Sequence, residues 1–244
     1  MLKKIPLKNW VKYLFRKIFP IPSPPKIDDY DNICDVELVP QKELFNFYKR
    51  IINKYFKDKE TIVHFEFGIF NGNSLSAAYK FYEGRENKTK KDYQIVAFDS
   101  FQGLPKEAEY EDGGVWKKGM YACSRSEVEH CLANKNVSLD KIKFIEGWYS
   151  DTFKKNTLNI DYVDVVFIDS DIYSSAKLIL NYIEPMIKDR VLICFDDWKL
   201  KDLDLYELGE SKAFEEFMVE NKSIQIEELQ SYNQKSKSFI LKRE

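Results

Sequence analysis

Five short apolar runs, rich in β-branched and aromatic residues, alternate with helical stretches along the middle of the chain. They occupy residues 62–67, 94–98, 142–145, 163–168 and 191–195. Polar or glycine residues bound each run, which is typical of parallel strands buried on both faces. Two further runs, 224–229 and 238–241, predict a closing hairpin. The pattern predicts an α/β fold with a doubly wound, mostly parallel seven-stranded sheet and an antiparallel C-terminal hairpin.

Charge is unevenly distributed along the 244 residues. Residues 1–27 carry seven Lys or Arg and no acid, which leaves 31 basic against 40 acidic side chains in the remainder. An acidic body of this kind argues against nucleic acid as a partner. Apolar residues at helical spacing separate the basic ones. Residues 1–40 are therefore predicted to form a basic amphipathic helix and a proline-rich arm, ahead of a single domain over 41–244.

The amphipathic helix has two interpretations. Its apolar face docks on its own domain or on a second subunit, or it lies on an anionic membrane surface. We adopt the first, so a homo-oligomer (a dimer) without membrane contact is expected.

The chain gives no sequence signal for membrane insertion or export. No apolar run reaches the ~18 residues that a membrane span requires. Lys12, Arg16 and Lys17 interrupt the N-terminal apolar stretch, which argues against a signal peptide. The cysteines show neither paired zinc spacing nor a disulfide framework. A cytoplasmic location is therefore expected.

In an open parallel sheet, ligands bind beyond the carboxyl ends of the strands. The first run ends in a turn with glycines at 68 and 72 and an acid, Glu66, two residues before the first of them. This spacing differs from the G-x-G-x-x-G of a dinucleotide fold, and an acid there suits an amine-bearing ligand better than a phosphate. A purely structural tight turn is the alternative.

The second run is followed by Asp99. A carboxylate at this strand end commonly accepts hydrogen bonds from both hydroxyls of a ribose, and the alternative is a helix cap. Together the two strand ends predict a nucleoside ligand without a phosphate chain.

Carboxylates also follow the fourth and fifth runs, as Asp169 and Asp171 and as Asp196 and Asp197. Neighbouring strands lie ~4.8 Å apart, and like charges so close are costly unless a cation or a proton neutralises them. An oxygen-only cluster suits Mg²⁺, Ca²⁺ or Mn²⁺ rather than zinc. Capping and surface solvation are the alternative.

With these motifs in order, the chain resembles the macrocin O-methyltransferase type of class I S-adenosylmethionine-dependent methyltransferases. The matching segments are Glu66-x-Gly68-x-x-x-Gly72-x-Ser74, Phe98-Asp99-Ser100-Phe101-x-Gly103-Leu104-Pro105, Glu146-Gly147-Trp148-Tyr149-x-Asp151-Thr152, Ile168-Asp169-x-Asp171-Ile172-Tyr173, Phe195-Asp196-Asp197-Trp198 and Gly209-x-x-Lys212-Ala213-x-x-x-Phe217. One departure is Phe167, which stands where the family usually has a histidine.

The resemblance implies a Rossmann-like methyltransferase domain over 41–244 that uses S-adenosylmethionine and Mg²⁺ or a similar divalent cation. It implies that the residues which bind the cofactor are Glu66 (near the methionine amine), Gly68, Gly72, Ser74, Asp99 (on the ribose), Ser100, Trp148 (near the adenine) and Asp169. It implies that Asp169, Asp196 and Asp197 hold the metal and that Asp171 is the general base.

The implied acceptor is a sugar hydroxyl. A composition rich in Lys, Ile, Asn and Phe suggests an AT-rich bacterial genome, where a nucleotide-linked heptose or hexose for capsule or surface polysaccharide is expected. Alternatives are a secondary-metabolite sugar, a catechol-like acceptor, a metal-dependent glycosyltransferase that uses Asp169 and Asp171, or a scaffold without turnover.

Overall fold

The computed structural model describes residues 32–155 and 158–243, so residues 1–31 of the predicted helix and arm lie outside the described residues. Seven strands in these ranges form one sheet. They are β1 (Thr61–Phe67), β2 (Asp92–Asp99), β3 (Ile142–Glu146), β4 (Val165–Ile168), β5 (Arg190–Phe195), β6 (Ile224–Leu229) and β7 (Lys237–Arg243). The α-helices in the same ranges are α1 (Gln41–Tyr55), α2 (Asn73–Thr89), α3 (Arg125–Asn134), α4 (Tyr149–Lys155), α5 (Tyr173–Ile183) and α6 (Gly209–Glu220).

The strand order is β3-β2-β1-β4-β5-β7-β6. The first five strands run parallel, and β7 lies antiparallel between β5 and β6. This arrangement confirms the predicted doubly wound sheet with its antiparallel hairpin. The order reverses between β1 and β4, the point at which sheets of this type bind their ligands.

Both faces of the sheet are covered, because successive strand residues point to opposite sides. On β2, for example, Ile95 and Ala97 join the core beneath α1 and α2, whereas Val96 and Phe98 join the core beneath α5 and α6. Burial on both faces explains why the strands are apolar throughout.

The register places the carboxyl ends of β1, β2, β4 and β5 at the same edge of the sheet. Phe67 pairs with Phe98 on one side and with Ile168 on the other, and Ile168 pairs with Phe195. The residues that follow these four ends therefore leave the sheet at one edge, and they include Asp99 and the acids after β4 and β5.

A long insertion, residues 100–124, joins β2 to α3 and contains two short 3₁₀ turns. Residues 106–130 are the least regular stretch of the sequence, which predicts a long insertion or lid there, but α3 already begins at Arg125. A capping box explains the early start: Ser124 accepts from the backbone of Glu127, and the Glu127 side chain accepts from the backbone of Ser124. The insertion packs against residues from the segments after β4 and β5 in a small separate core. The buried members of this core are Leu104, Ala108 and Trp116 from the insertion, together with Ile172 and Leu203.

The expectation that the cysteines form no disulfide is wrong. A disulfide joins Cys34 to Cys131, across 97 residues of sequence, while Cys123 and Cys194 are free and buried. The bridge fastens the segment 32–39 to α3, and because it links distant positions, cysteine spacing carried no sign of it. The cysteines therefore give no support to a reducing compartment. Among the described residues, no helix is both long enough and apolar enough to cross a membrane.

Candidate active site

A cavity of about 970 Å³ opens where the carboxyl ends of β1, β2, β4 and β5 meet. Concave sites of this size at the switch point of a parallel sheet are the usual place for a small ligand. Of the residues that the sequence singled out, those that line the cavity are Gly68, Ser74, Asp99, Ser100, Trp148, Asp169, Asp171, Asp196 and Asp197. Glu66 and Gly72 are not among the described lining residues.

Gly68 occupies a position where only glycine fits. Its φ is +84°, and a Cβ there would collide with the backbone carbonyl of Asp169. The turn after β1 and the loop after β4 are therefore in direct contact through this residue. Gly72 has a different role: at φ +78° it precedes α2, and a Cβ would meet the side chain of Leu132 on α3.

Glu66 lies beneath the cavity. Its side chain is fully buried, and Oε1 accepts a hydrogen bond from Ser74 Oγ at 2.7 Å. Oε2 lies 3.5 Å from Nε2 of His64, whose Nδ1 in turn lies 3.0 Å from the Tyr82 hydroxyl. The structure thus places Glu66 as a link between β1 and the start of α2, directly behind Ser74, which lines the cavity.

Asp99 links the first two strand ends. Oδ2 accepts from the backbone N–H of Ile69 at 2.7 Å, and Oδ1 accepts from that of Phe101 at 2.7 Å. Burial raises the pKa of Asp99, and the backbone donors oppose that rise because they stabilise its ionised form. Asp99 also lines the cavity, where its carboxylate can accept from a ligand hydroxyl.

The neighbours of Asp99 complete this half of the cavity. Ser100 Oγ donates to the carbonyl of Gly103 at 3.1 Å. The backbone N–H of Gly147 donates to the carbonyl of Asp99 at 2.9 Å, which brings Trp148 to the cavity wall. This half offers a carboxylate, a hydroxyl and an aromatic surface, the groups that recognise a nucleoside.

The other half contains the acids after β4 and β5. Single carboxylate oxygens of Asp169, Asp171 and Asp197 all lie within 4.8 Å of one another. Burial raises the pKa of Asp171 to about 7, and a hydrogen bond with Asp197 opposes the rise. Burial, followed by repulsion from neighbouring carboxylates, raises the pKa of Asp169 and Asp197 well above the ordinary value. The cluster resists full ionisation when no cation is bound.

Asp196 sits at the edge of this cluster. Its Oδ1 accepts a hydrogen bond from the Tyr232 hydroxyl, and burial raises its pKa to about 6. Tyr232 comes from the turn between β6 and β7, and its ring packs against Phe167 at 6.0 Å between centroids. The converging acids are therefore Asp169, Asp171 and Asp197, whereas the sequence had grouped Asp196 with Asp169 and Asp197.

The cluster fits a hard divalent cation. It presents oxygen atoms only, and Asp197 Oδ2 is buried without a hydrogen-bond partner. A buried carboxylate oxygen without a donor is costly unless a positive charge satisfies it.

Glu210 is a member of this site that sequence reasoning missed. It is buried at the start of α6, and its Oε2 accepts from the backbone N–H of Asp197 at 3.1 Å. Its Oε1 has no hydrogen-bond partner, and burial raises its pKa well above the ordinary value. An acid in the first turn of a helix is common, so nothing in the sequence distinguished Glu210 from an ordinary surface residue.

Comparison with known proteins identifies one matching family. Residues 55–222 match the family model described as macrocin-O-methyltransferase. A demethyldecarbamoylnovobiocin O-methyltransferase from Streptomyces niveus is 28% identical over 116 residues, which cover 45% of this chain and only 44% of that protein.

Two solved structures share the fold. The O-methyltransferase NovP superposes with a TM-score of 0.64 at 19% identity, over 83% of this chain and 78% of that one. The calicheamicin methyltransferase CalS11 superposes with a TM-score of 0.60 at 16% identity, over 99% of this chain and 94% of that one. An apo structure of CalS11 describes it as a TDP-rhamnose 3′-O-methyltransferase.

Proposed function

The chain belongs to the macrocin-O-methyltransferase family, and from this membership we propose that it transfers a methyl group from S-adenosylmethionine to a sugar hydroxyl with the help of a divalent cation. The observation that carries the proposal is that one cavity holds both Asp99 and the acid cluster. The nucleoside-binding half and the cation-binding half of the proposal then line one cavity. This is the arrangement that a metal-assisted methyl transfer requires.

The cofactor half consists of Gly68, Ser74, Asp99, Ser100 and Trp148, which all line the cavity. In the proposal, Asp99 accepts the ribose hydroxyls and Trp148 lies beside the adenine. Glu66 supports this half from below, because its hydrogen bond to Ser74 fixes the turn that the cofactor lies against.

In the proposal, the acid half of the cavity activates the acceptor hydroxyl. A sugar hydroxyl has a pKa near ~16, so its ionisation at pH 7 costs about 12 kcal/mol, more than a carboxylate base alone supplies. A bound divalent cation makes such a hydroxyl more acidic. We assign Asp169, Asp196 and Asp197 to the cation and Asp171 to the proton. A carboxyl with a pKa of about 7 suits a base that works near neutral pH.

A nucleotide-linked heptose or hexose is the acceptor that we propose, in the context of capsule or surface polysaccharide. Support comes from the lysines that line the cavity, among them Lys118, Lys199, Lys201 and Lys235. Within the described residues, none of these four makes an ion pair with a carboxylate. Ammonium groups of this kind suit a phosphate-bearing ligand. CalS11, which shares the fold, is described as acting on a nucleotide-linked sugar.

The curated relative favours a second acceptor, a sugar on a secondary metabolite, because its name places it on a novobiocin precursor. A screen separates the two. The protein is incubated with methyl-labelled S-adenosylmethionine and Mg²⁺, against a panel of sugar nucleotides and a panel of glycosylated metabolites. Label in a sugar nucleotide supports the proposal, and label only in glycosylated metabolites replaces its acceptor. Sugar-nucleotide hydrolysis without methyl transfer would instead indicate a glycosyltransferase.

A further inference from the structure

Asp112 connects the β2–α3 insertion to the first turns of two helices. Its Oδ2 accepts from the backbone N–H of Tyr173 at 2.8 Å, and its Oδ1 accepts from that of Gly209 at 2.7 Å. The side chain is buried. The preceding residue, Glu111, adds a third such contact, because its Oε2 accepts from the backbone N–H of Ser174 at 3.0 Å.

Neither helix provides this cap for itself. Ile172 precedes α5 and Leu208 precedes α6, and neither side chain makes a hydrogen bond to the turn that follows it. The first N–H groups of a helix need acceptors, and their partial positive charge favours a carboxylate. The insertion therefore supplies the N-caps that α5 and α6 lack.

Both capped turns adjoin the acid cluster. Tyr173 follows Asp171 by two residues, so the start of α5 fixes where the loop after β4 ends. Gly209 directly precedes Glu210, which accepts from the backbone N–H of Asp197 in the loop after β5. One carboxylate thus sets the positions of both acid-bearing loops relative to the insertion.

A further contact joins the same parts. Lys201 Nζ donates to the backbone carbonyl of Val115 at 3.0 Å, and it lies 4.7 Å from the centre of the Trp116 ring. Lys201 belongs to the segment after β5 and lines the cavity, as does Trp116. The insertion is therefore held to this segment at a second point.

The backbone at Asp112 is adapted to its position. Asp112 has a φ of 50°, and Gly113 and Gly114 follow with φ of 74° and 69°. Aspartate tolerates this left-handed conformation better than most residues. The turn directs the Asp112 carboxylate towards the first turns of α5 and α6. The chain then continues to Trp116, Lys118 and Tyr121, which line the cavity.

We propose that Asp112 is a positioning residue that fastens the insertion over the acceptor half of the cavity and aligns the two acid-bearing loops beneath it. It touches no reacting atom. Its effect falls mainly on the acceptor and cation half, because the start of the insertion is held in the cofactor half by other bonds: Ser100 donates to Gly103, and Phe101 donates to Asp99. The proposal rests on the proposed function for the cation, the cofactor and the acceptor side of the cavity.

The test compares Asp112→Ala and Asp112→Asn with the wild type in the full chain. The matched control is Glu109→Gln, which removes an exposed charge from the same insertion. Mn²⁺ affinity and S-adenosylhomocysteine affinity are measured by calorimetry, and amide exchange is followed in peptides that cover 104–122 and 172–176. Asp112→Asn keeps one acceptor oxygen, so it provides an interpretable variant if the alanine variant fails to fold.

We expect Asp112→Ala to weaken Mn²⁺ binding by about tenfold and to accelerate exchange in both peptides by about tenfold or more, with S-adenosylhomocysteine affinity changed less than twofold. Asp112→Asn should fall between Asp112→Ala and the wild type, and Glu109→Gln should match the wild type. Equal losses of both affinities, or unchanged exchange in 104–122, would overturn the proposal. If the wild type binds no Mn²⁺, the cation in the proposed function is wrong, and the exchange data still decide the role of Asp112.

Discussion

Asp171 and Asp196 differ in their surroundings although both belong to the acid group. Asp171 has a φ of 61° and lies among the converging oxygens, whereas Asp196 is held by the Tyr232 hydroxyl. The proposed roles give Asp196 to the cation and Asp171 to the proton. The geometry favours the reverse for Asp171, because its carboxylate converges with those of Asp169 and Asp197.

Paired variants decide between these roles. If Asp171 is the base, Asp171→Asn keeps Mn²⁺ and cofactor affinity while turnover falls by ~10²–10⁴, the usual contribution of a general base. Asp196→Asn should lose Mn²⁺ affinity and turnover together. Calorimetry with Mn²⁺ is the measurement, and loss of Mn²⁺ binding in Asp171→Asn with retention in Asp196→Asn would reverse the two roles.

Asp99 carries the prediction for the cofactor. Asp99→Ala removes the expected ribose contacts, which are charge-assisted hydrogen bonds worth ~1.5–3 kcal/mol each. S-adenosylhomocysteine affinity should therefore fall by about tenfold to a hundredfold. Asp99→Asn is the matched control for the backbone contacts to Ile69 and Phe101, and it should lose less. Unchanged calorimetric affinity in Asp99→Ala would remove this residue from the cofactor site.

Single residues also mark the limit of what the sequence predicts. The acids after β4 and β5 were found because strand ends are visible as the ends of apolar runs. The same reasoning singled out Glu66, whose contact with the cofactor amine stays a prediction; its side chain is buried and accepts from Ser74 at the cavity wall. The direction of a side chain at a strand end depends on tertiary packing, which the motif does not encode. Glu210 and Asp112 act through backbone N–H groups distant in sequence, so neither had a recognisable pattern.

At the scale of elements, the segment 32–39 is tied to the cofactor turn. Asn71 Nδ2 donates to the carbonyls of Ile33 at 2.8 Å and Val36 at 2.6 Å, and the Cys34–Cys131 disulfide fastens the same segment to α3. Leu38 and Val39 then reach the cavity wall. The disulfide should stabilise the body of the protein as well as this wall.

We predict that Cys131→Ser lowers the free energy of unfolding by about 2–4 kcal/mol, because a long loop in the unfolded chain is no longer closed. Urea denaturation with and without dithiothreitol provides the measurement. The reductant should shift the wild-type midpoint and leave that of Cys131→Ser in place. Cys123→Ser, which alters a free thiol, serves as the control and should keep its sensitivity to the reductant. If the urea midpoint of the wild type is the same with and without dithiothreitol, the disulfide does not form in solution.

Helices and strands were more predictable than single site residues, because the apolar pattern that predicts them extends over many positions. All seven strands were placed from apolar runs. The spacing of Leu44, Tyr48 and Ile52 likewise predicts a helix after Pro40, and these residues are buried in α1. The insertion is predicted because its apolar residues show neither a helical nor a strand period. Its end is predicted too late along the chain, because the cap at Ser124 starts α3 at Arg125. The disulfide was not predicted, because Cys34 and Cys131 are neighbours only in the folded chain.

At the scale of the whole molecule, the buried acids make stability depend on pH. Burial raises the pKa of Asp171 to about 7 and of Asp196 to about 6, above the ~3.9 of an unfolded aspartate. The folded protein therefore holds protons that the unfolded chain has released. The free energy of unfolding without metal should fall as the pH rises from about 4 to about 7, by a few kcal/mol.

Urea denaturation in EDTA at about pH 5 and pH 7.5 tests this dependence. The protein should be less stable at the higher pH, and excess Mg²⁺ should restore the lost stability there, because a bound cation stabilises the ionised cluster. Equal stability at the two pH values, or no effect of Mg²⁺ at the higher one, would contradict the account of the cluster.

The overall architecture and the family were both accessible from sequence, since apolar runs mark the strands and the motifs after them follow along the chain in the order that the family has. The domain division at residue 40, the dimer and the cytoplasmic location stay predictions. Light scattering of the full chain tests the dimer directly, and removal of residues 1–31 should convert it to a monomer if the helix docks on a second subunit.

The central claim is that this cavity transfers a methyl group from S-adenosylmethionine to a sugar with a divalent cation. The most direct test is methyl transfer from labelled cofactor to the acceptor that the screen identifies, with Mg²⁺ and then with EDTA. The account predicts a singly methylated sugar with Mg²⁺, its loss in EDTA and its return on addition of fresh Mg²⁺. Equal product in EDTA and in Mg²⁺ would contradict the claim that the acid cluster works by holding a cation.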